Sequence, residues 1–111
     1  MIRGMQASTP EPPHYAVMFT TTREEADDGY AAMAEEMEAL ARQQPGYLGI
    51  ESARDASLGI TISYWRDEES IAAWKANIDH TAARDLGRGR FYTSYVLRVA
   101  KVERDYDWSK P

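Results

Sequence analysis

The spacing of hydrophobic residues along this chain switches between a period of two and a period of 3.6, in the order β-α-β-β-α-β. Tyr15 to Thr22, YAVMFTTT, is β-branched and aromatic with apolar residues on both alternating faces, and it reads as a central strand. Between residues 27 and 44, Tyr30, Met33, Ala34, Met37, Leu40 and Ala41 form one helical stripe. Asp27 or Asp28 can cap that helix, and Pro45-Gly46 stops it. YLGIESAR, Tyr47 to Arg54, and LGITISYW, Leu58 to Trp65, flank the turn-like Asp55-Ala56-Ser57 and predict a hairpin. A second helix runs from about Asp67, a good N-cap, to Leu86, with Ile71, Trp74, Ile78, Ala82 and Leu86 as its buried stripe. Glu68 and Glu69 suit its first turn, Gly87 and Gly89 end it, and Phe91 to Val102 is the last strand. Two βα units around a central hairpin predict an α+β, ferredoxin-like βαββαβ fold. Its four-stranded antiparallel sheet carries both helices on one face, in strand order 4-1-3-2.

Two helices cover only one face of such a sheet, yet the strands are apolar on both. In the last strand Phe91, Tyr95, Leu97 and Val99 alternate with Tyr92, Val96, Ala100 and Val102. In the third, Ile60, Ile62 and Tyr64 alternate with Thr61, Ser63 and Trp65. A half-solvated sheet reads apolar on one side and polar on the other. A second apolar face predicts an interaction surface, most economically a homodimer in which two sheets pack face to face as a dimeric α/β barrel.

At 111 residues the chain is the size of one domain. Residues 1–13, with three of the five prolines, read as an irregular or mobile arm; residues 14–106 form the domain and 107–111 a short tail. The net charge of −5, with no Lys/Arg cluster, argues against a nucleic-acid partner. Arg84, Arg88 and Arg90 are the densest basic stretch, but Asp85 interrupts it, and it reads as a solvated helix end. The absence of cysteine removes disulfides, thiolate catalysis and cysteine-rich metal sites, and fits a reducing cytoplasm. No segment has the length and hydrophobicity of a signal peptide or of the ~20-residue span a bilayer needs, so a cytoplasmic protein with no membrane partner is expected.

The GITISYWRDEESIAAWK junction, His80 and the closing FYTSYVLRVAKVERDY, set in the βαββαβ order, resemble the antibiotic biosynthesis monooxygenase (ABM) family of dimeric α/β barrels. The resemblance covers residues 14–106. It implies a homodimer joined through the sheet face and a small-molecule ligand. It also implies a monooxygenase or oxidoreductase acting on a small aromatic or quinone-like compound without a tightly bound cofactor. The alternative is a non-catalytic small-molecule-binding or structural dimer. The family's haem-degrading branch calls for a strand-1 asparagine and a histidine ten residues after the helix-2 tryptophan. Trp74 matches the tryptophan, but Arg84 stands in the histidine's place and YAVMFTTT has no asparagine. Haem is therefore not expected, and flavin is left open.

Within the resemblance, His80 and Tyr64 are the candidate proton-transfer groups. His80 has a pKa range suited to acid–base work near neutrality. Trp65 and Trp74 are candidate substrate-binding walls, although the preferred reading of Trp74 is a core residue and that of Trp65 core or interface packing. Asn77 and Arg84 are candidate hydrogen-bond donors to substrate. His80 shares a helical stripe with Ala73, Asn77 and Arg84, at the edge of the buried face rather than on the Trp74 stripe. Tyr64 and Trp65, adjacent on a strand, must face opposite sides of the sheet. Met18, Met33 and Met37 could make a pliable pocket lining, but the helical spacing of Met33 and Met37 favours core filler. Glu35, Glu36 and Glu38 read as a solvated face without the histidines a metal site would add. His14, beside the proline arm, is set aside.

Overall fold

The computed structural model describes residues 6–23, 30–55, 57–84 and 94–111, and of residues 30, 31, 33 and 80–84 the backbone alone. The elements follow in the expected order: β1 (His14–Thr22), α1 (Tyr30–Arg42), β2 (Tyr47–Arg54), β3 (Leu58–Trp65), α2 (Glu68–Arg84) and β4 (Ser94–Val102). The sheet runs β2-β3-β1-β4 and is antiparallel throughout, the strand order expected of this topology. The expected caps Asp27 and Asp28, the stop at Leu86, Gly87 and Gly89, and the residues Ala56, Arg88, Arg90, Phe91 and Tyr92 lie outside the described residues.

β1 is the central strand because it can pair on both edges. Tyr15 stands opposite Trp65 on β3 and Lys101 on β4, and the ladder continues to Thr22 opposite Leu58 and Ser94. This register sorts side chains into two faces. Tyr15, Val17, Phe19 and Thr21 lie on one face with Trp65, Ser63 and Thr61 of β3 and Ile50 of β2. The helices cover that face, and Val17, Ala41, Trp65, Ile71, Trp74 and Ile78 form its buried core, with Met37, Leu40, Tyr47 and Leu97 packed around them.

Neither described helix covers the opposite face. His14, Ala16 and Met18 lie there with Tyr64, Ile62, Ile60, Ala100 and Val96. Leu58 and Ile60 are each 39% exposed on it and Val96 45%, so the second apolar face inferred from strand alternation is present.

Local chemistry explains where the elements stop. Asp55 Oδ1 accepts the backbone N–H of Ser57 and of Leu58, each at 2.8 Å, and Asp55 N–H donates to Leu58 O at 2.9 Å, which closes the β2–β3 hairpin. The N–H bonds from Leu58 and Ser57 hold the Asp55 carboxyl below the usual carboxylate range. Asp67 is the N-cap of α2: its Oδ1 accepts Ser70 N–H at 2.8 Å and Ser70 Oγ–H at 2.7 Å. Those bonds depress the Asp67 carboxyl in the same way.

After α1 the chain turns at Gly46, whose φ of 84° is in the left-handed region. Gly46 O accepts Arg66 N–H at 2.8 Å. This bond fastens the α1–β2 turn to the start of α2, so both helices are anchored at one end of the sheet.

Candidate functional site

Between the sheet and the helices lies a cavity of about 60 Å³. Its floor is the helix-bearing side of the central strands: Val17, Phe19 and Thr21 of β1, Thr61 and Ser63 of β3, and Ile50 of β2. Its roof is Ala34 and Met37 of α1 with Trp74 and Ile78 of α2. The lining is therefore mainly apolar with three hydroxyls on one wall, the composition of a small-molecule site.

One charged pair joins this lining. Arg54, ending β2, and Glu38, on α1, both border the cavity, with Arg54 Nη2 3.5 Å from Glu38 Oε2. Arg54 Nη2 also donates to Ser52 Oγ at 3.4 Å. Glu38 Oε1 lies 3.5 Å from Arg42 Nη2 on the next turn of α1, so two guanidiniums flank one carboxylate. Tyr47 lies beside these groups, and burial raises its phenol pKa although Arg42 pulls it down.

Trp74 lines this cavity, as a candidate wall should. Trp65 does not. It is 0% exposed and stacks on Trp74 with ring centroids 5.7 Å apart and planes 26° apart, while its Nε1–H donates to Ser63 Oγ at 2.8 Å. It belongs to the core behind the wall, so the Trp65–Trp74 junction itself is filled and the open space lies beside it. Asn77 also falls outside the lining: its Nδ2 donates to Gln44 Oε1 at 3.2 Å and to Ala73 O at 3.1 Å, which ties α2 to the turn after α1.

Tyr64 requires the largest correction. It is on the face of the sheet away from the two described helices, opposite Ala16 and Gly49, whereas the cavity is on the face of Trp65. Strand alternation separates the two neighbours by the thickness of the sheet, so Tyr64 cannot share a pocket with Trp74. Its hydroxyl donates to Glu51 Oε1 at 2.6 Å, and Glu51 Oε2 accepts Ala7 N–H at 2.8 Å, which ties the N-terminal arm to β2. His14, 2% exposed, meets the Tyr64 ring edge-on at 5.8 Å. The backbone of His80 and Arg84 is on α2, but their side chains, like that of Met33, lie outside the described residues.

Burial, then the hydrogen bond and charge of Glu51, raise the Tyr64 phenol pKa well above its ordinary value. The folded state thus favours the neutral phenol, and the stability this contributes is intact below the unfolded pKa near ~10. It is lost as pH climbs from there through the folded value. Thermal unfolding followed from pH 9 to 11 should show a steeper fall in Tm for the wild type than for Tyr64→Phe. Parallel falls would contradict the assignment.

Glu38 and Arg54 were not singled out by the sequence reading, which placed Glu38 on a solvated face with Glu35 and Glu36. Those two are exposed, but Glu38 is half-buried. Its position one residue after Met37, on the flank of the apolar stripe, is the signal that distinguishes it. Thr61 and Ser63 could have been found by extending the alternation from Trp65. Among the described residues no group of three His, Asp or Glu side chains is placed to hold a metal ion, and no helix is long and apolar enough to cross a membrane.

Residues 13–86 match the family described as Antibiotic biosynthesis monooxygenase. The chain is 50% identical over 99 residues to the uncharacterized protein YqjZ of Bacillus subtilis (strain 168), covering 88% of this chain and 87% of that one. It is 31% identical over 94 residues to the jasmonate monooxygenase ABM of Pyricularia oryzae, covering 79% of this chain and 43% of the relative, so it spans less than half of that protein. Among solved structures it resembles SnoaB, a cofactor-independent oxygenase from Streptomyces nogalater, with a TM-score of 0.68, 12% identity, and coverage of 85% of this chain and 97% of that one. At that identity the likeness is one of fold.

Proposed function

The chain belongs to the antibiotic biosynthesis monooxygenase family, and from that premise we propose that it oxygenates a small aromatic or quinone-like compound in the cavity between sheet and helices, without a tightly bound cofactor. The observation that carries this reading is the cavity itself: an apolar, aromatic-walled space with hydroxyls and one guanidinium on its border, in a chain of this family.

Cofactor-free oxygenation needs a substrate that supplies all the electrons. A phenol or enol that loses its O–H proton becomes an electron-rich anion able to pass an electron to O₂. Recombination forms a C–O bond, and the resulting hydroperoxide loses water together with the ring C–H. The balance is one phenol and one O₂ giving one quinone and one water, so no external reductant is consumed. In this scheme Trp74, Phe19 and Ile78 hold the ring away from water. Thr61, Ser63 and Arg54 are the groups available to a developing oxyanion. Proton removal is assigned to His80, because His14 is on the other face of the sheet while α2, which carries His80, walls the cavity.

The reading includes a homodimer. Leu58, Ile60 and Val96 expose an apolar sheet face that a second copy would cover, closing two sheets into a barrel.

Oxygen uptake by the purified, flavin-free protein, screened against quinols and polyphenols, tests the proposal. Uptake should scale with protein, and His80→Ala should reduce turnover at least tenfold while the chain still sediments as a dimer. Undiminished turnover in that variant would remove His80 from the reaction, and absence of uptake across the panel would remove the oxygenase.

A further inference from the structure

We propose that the segment after β4, residues 103–111, docks on a second copy of this chain, with Tyr106 and Trp108 seated on the exposed end of that copy's sheet face. The inference rests on the homodimer included in the reading above and specifies how its interface is built.

The face turned away from the described helices has two unlike ends. At the His14 end the arm before β1 lies against it. Ala7 N–H donates to Glu51 Oε2 at 2.8 Å, and the Tyr64 hydroxyl donates to the other oxygen of Glu51 at 2.6 Å. Gly49 has no side chain where a Cβ would stand 3.1 Å from Ala7 Cβ, which lets the arm come close. His14 and Ala16 are buried at this end, 2% and 6% exposed. At the other end Leu58, Ile60 and Val96 gather around Thr20 and Thr22 and stay 39%, 39% and 45% exposed.

β4 ends at Val102, opposite His14, so residues 103–111 leave the sheet at the arm end, beside Glu11 and Pro12. They form no helix or strand and are exposed throughout. Tyr106 is 96% exposed and Trp108 77%, so neither ring is buried against its own chain. Val96, the nearest part of the exposed patch, lies back along β4 from Val102 by ~20 Å. A twofold axis between two stacked sheets, perpendicular to their strands, places the arm end of each copy over the exposed end of the other. The segment then starts above the other copy's Leu58, Ile60 and Val96, and the contact is made twice. Charge agrees with this seat: Arg98 is exposed on the same face beside Val96, and Asp105 and Asp107 bracket Tyr106. Tyr and Trp side chains enclosed in this way cover roughly 150–250 Å² each, a large part of the ~800 Å² per copy that a stable dimer buries.

The chain has no cysteine, so an introduced pair reports the arrangement without background. Ile60→Cys mixed with Ser109→Cys and mildly oxidised should give a disulfide-linked pair on a non-reducing gel, and neither variant alone should. Trp65 and Trp74 are enclosed in the core, so Trp108 is the tryptophan most open to a quencher. Where the protein sediments as a dimer, its quenching by acrylamide should match that of Trp108→Phe. Dilution to monomer should add a quenchable component that Trp108→Phe lacks. Tyr106→Ser with Trp108→Ser should leave the far-ultraviolet circular dichroism unchanged and weaken the dimer at least tenfold. A dimer in which Trp108 is freely quenched, or whose affinity survives the double substitution, would overturn the docking and leave the sheet-face dimer. A shielded Trp108 with no cross-link in the mixed pair would overturn its seat beside Ile60. A chain that stays monomeric at every concentration would overturn the dimer on which the docking rests.

Discussion

Trp74→Ala should lower the free energy of unfolding by about 3–5 kcal/mol, a large fraction of the ~5–15 kcal/mol that a domain of this size has in total. The indole is 5% exposed and packs among Val17, Ile71 and Ile78. Its removal has three consequences. The transfer free energy of a large apolar side chain is lost, and the existing cavity, which Trp74 already borders, grows by most of an indole ring. Trp65, stacked on Trp74 at 5.7 Å, also loses its ring partner, a contact that contributes ~0.5–1.5 kcal/mol beyond area. Trp74→Phe keeps most of the volume and an aromatic face toward Trp65, so it should cost clearly less. Chemical denaturation of the three proteins checks this. A Trp74→Ala variant within about 1 kcal/mol of the wild type would show that Trp74 is not a core residue at all.

Gly46→Ala should be nearly as damaging, by about 2–6 kcal/mol, although it adds a single methyl group. A φ of 84° costs a residue with a Cβ ~1–3 kcal/mol. The added Cβ would overlap the Ser70 side chain, lying 2.6 Å from Ser70 Cβ. Ser70 is not at liberty to move, because both its N–H and its hydroxyl are committed to the Asp67 cap of α2. Relief therefore has to come from shifting the α1–β2 turn, which would strain the Gly46 O to Arg66 N–H bond that joins the two helix anchors. Overpacking of this kind costs ~1–3 kcal/mol more. Gly46→Ala combined with Ser70→Gly, which removes the obstructing side chain, should recover part of the loss. Tm measured on the single and double variants separates backbone strain from collision, and a single variant as stable as the wild type would contradict both.

The fold was largely legible because each element carries its own punctuation. β2 and β3 have the boundaries read from their residues, and Asp67 and Pro45-Gly46 mark a helix start and stop by mechanisms that act over three or four residues. Strand order follows from topology once the elements are in place. The site was harder to read, because it depends on which face each strand turns toward the helices. Alternation shows that Tyr64 and Trp65 oppose one another, but only the docking of α2 decides that Trp65 faces the helices and Tyr64 the other side of the sheet. Glu38 and Arg54 meet only because α1 lies against β2, a long-range packing fact that leaves no short-range pattern. Trp74 belongs to the core and borders the cavity because one buried stripe of α2 faces both.

The most direct test of the account is ¹⁸O₂ labelling of the product from whichever quinol or phenol the oxygen-uptake screen identifies. It should be run with protein shown to be free of flavin and metal, beside the cavity-filling variant Ala34→Leu. The account predicts one labelled oxygen in the organic product and the other in water, with turnover lost in Ala34→Leu while its Tm stays near that of the wild type. Label that enters at the same rate in the filled variant, or only after flavin or metal is added back, would contradict it.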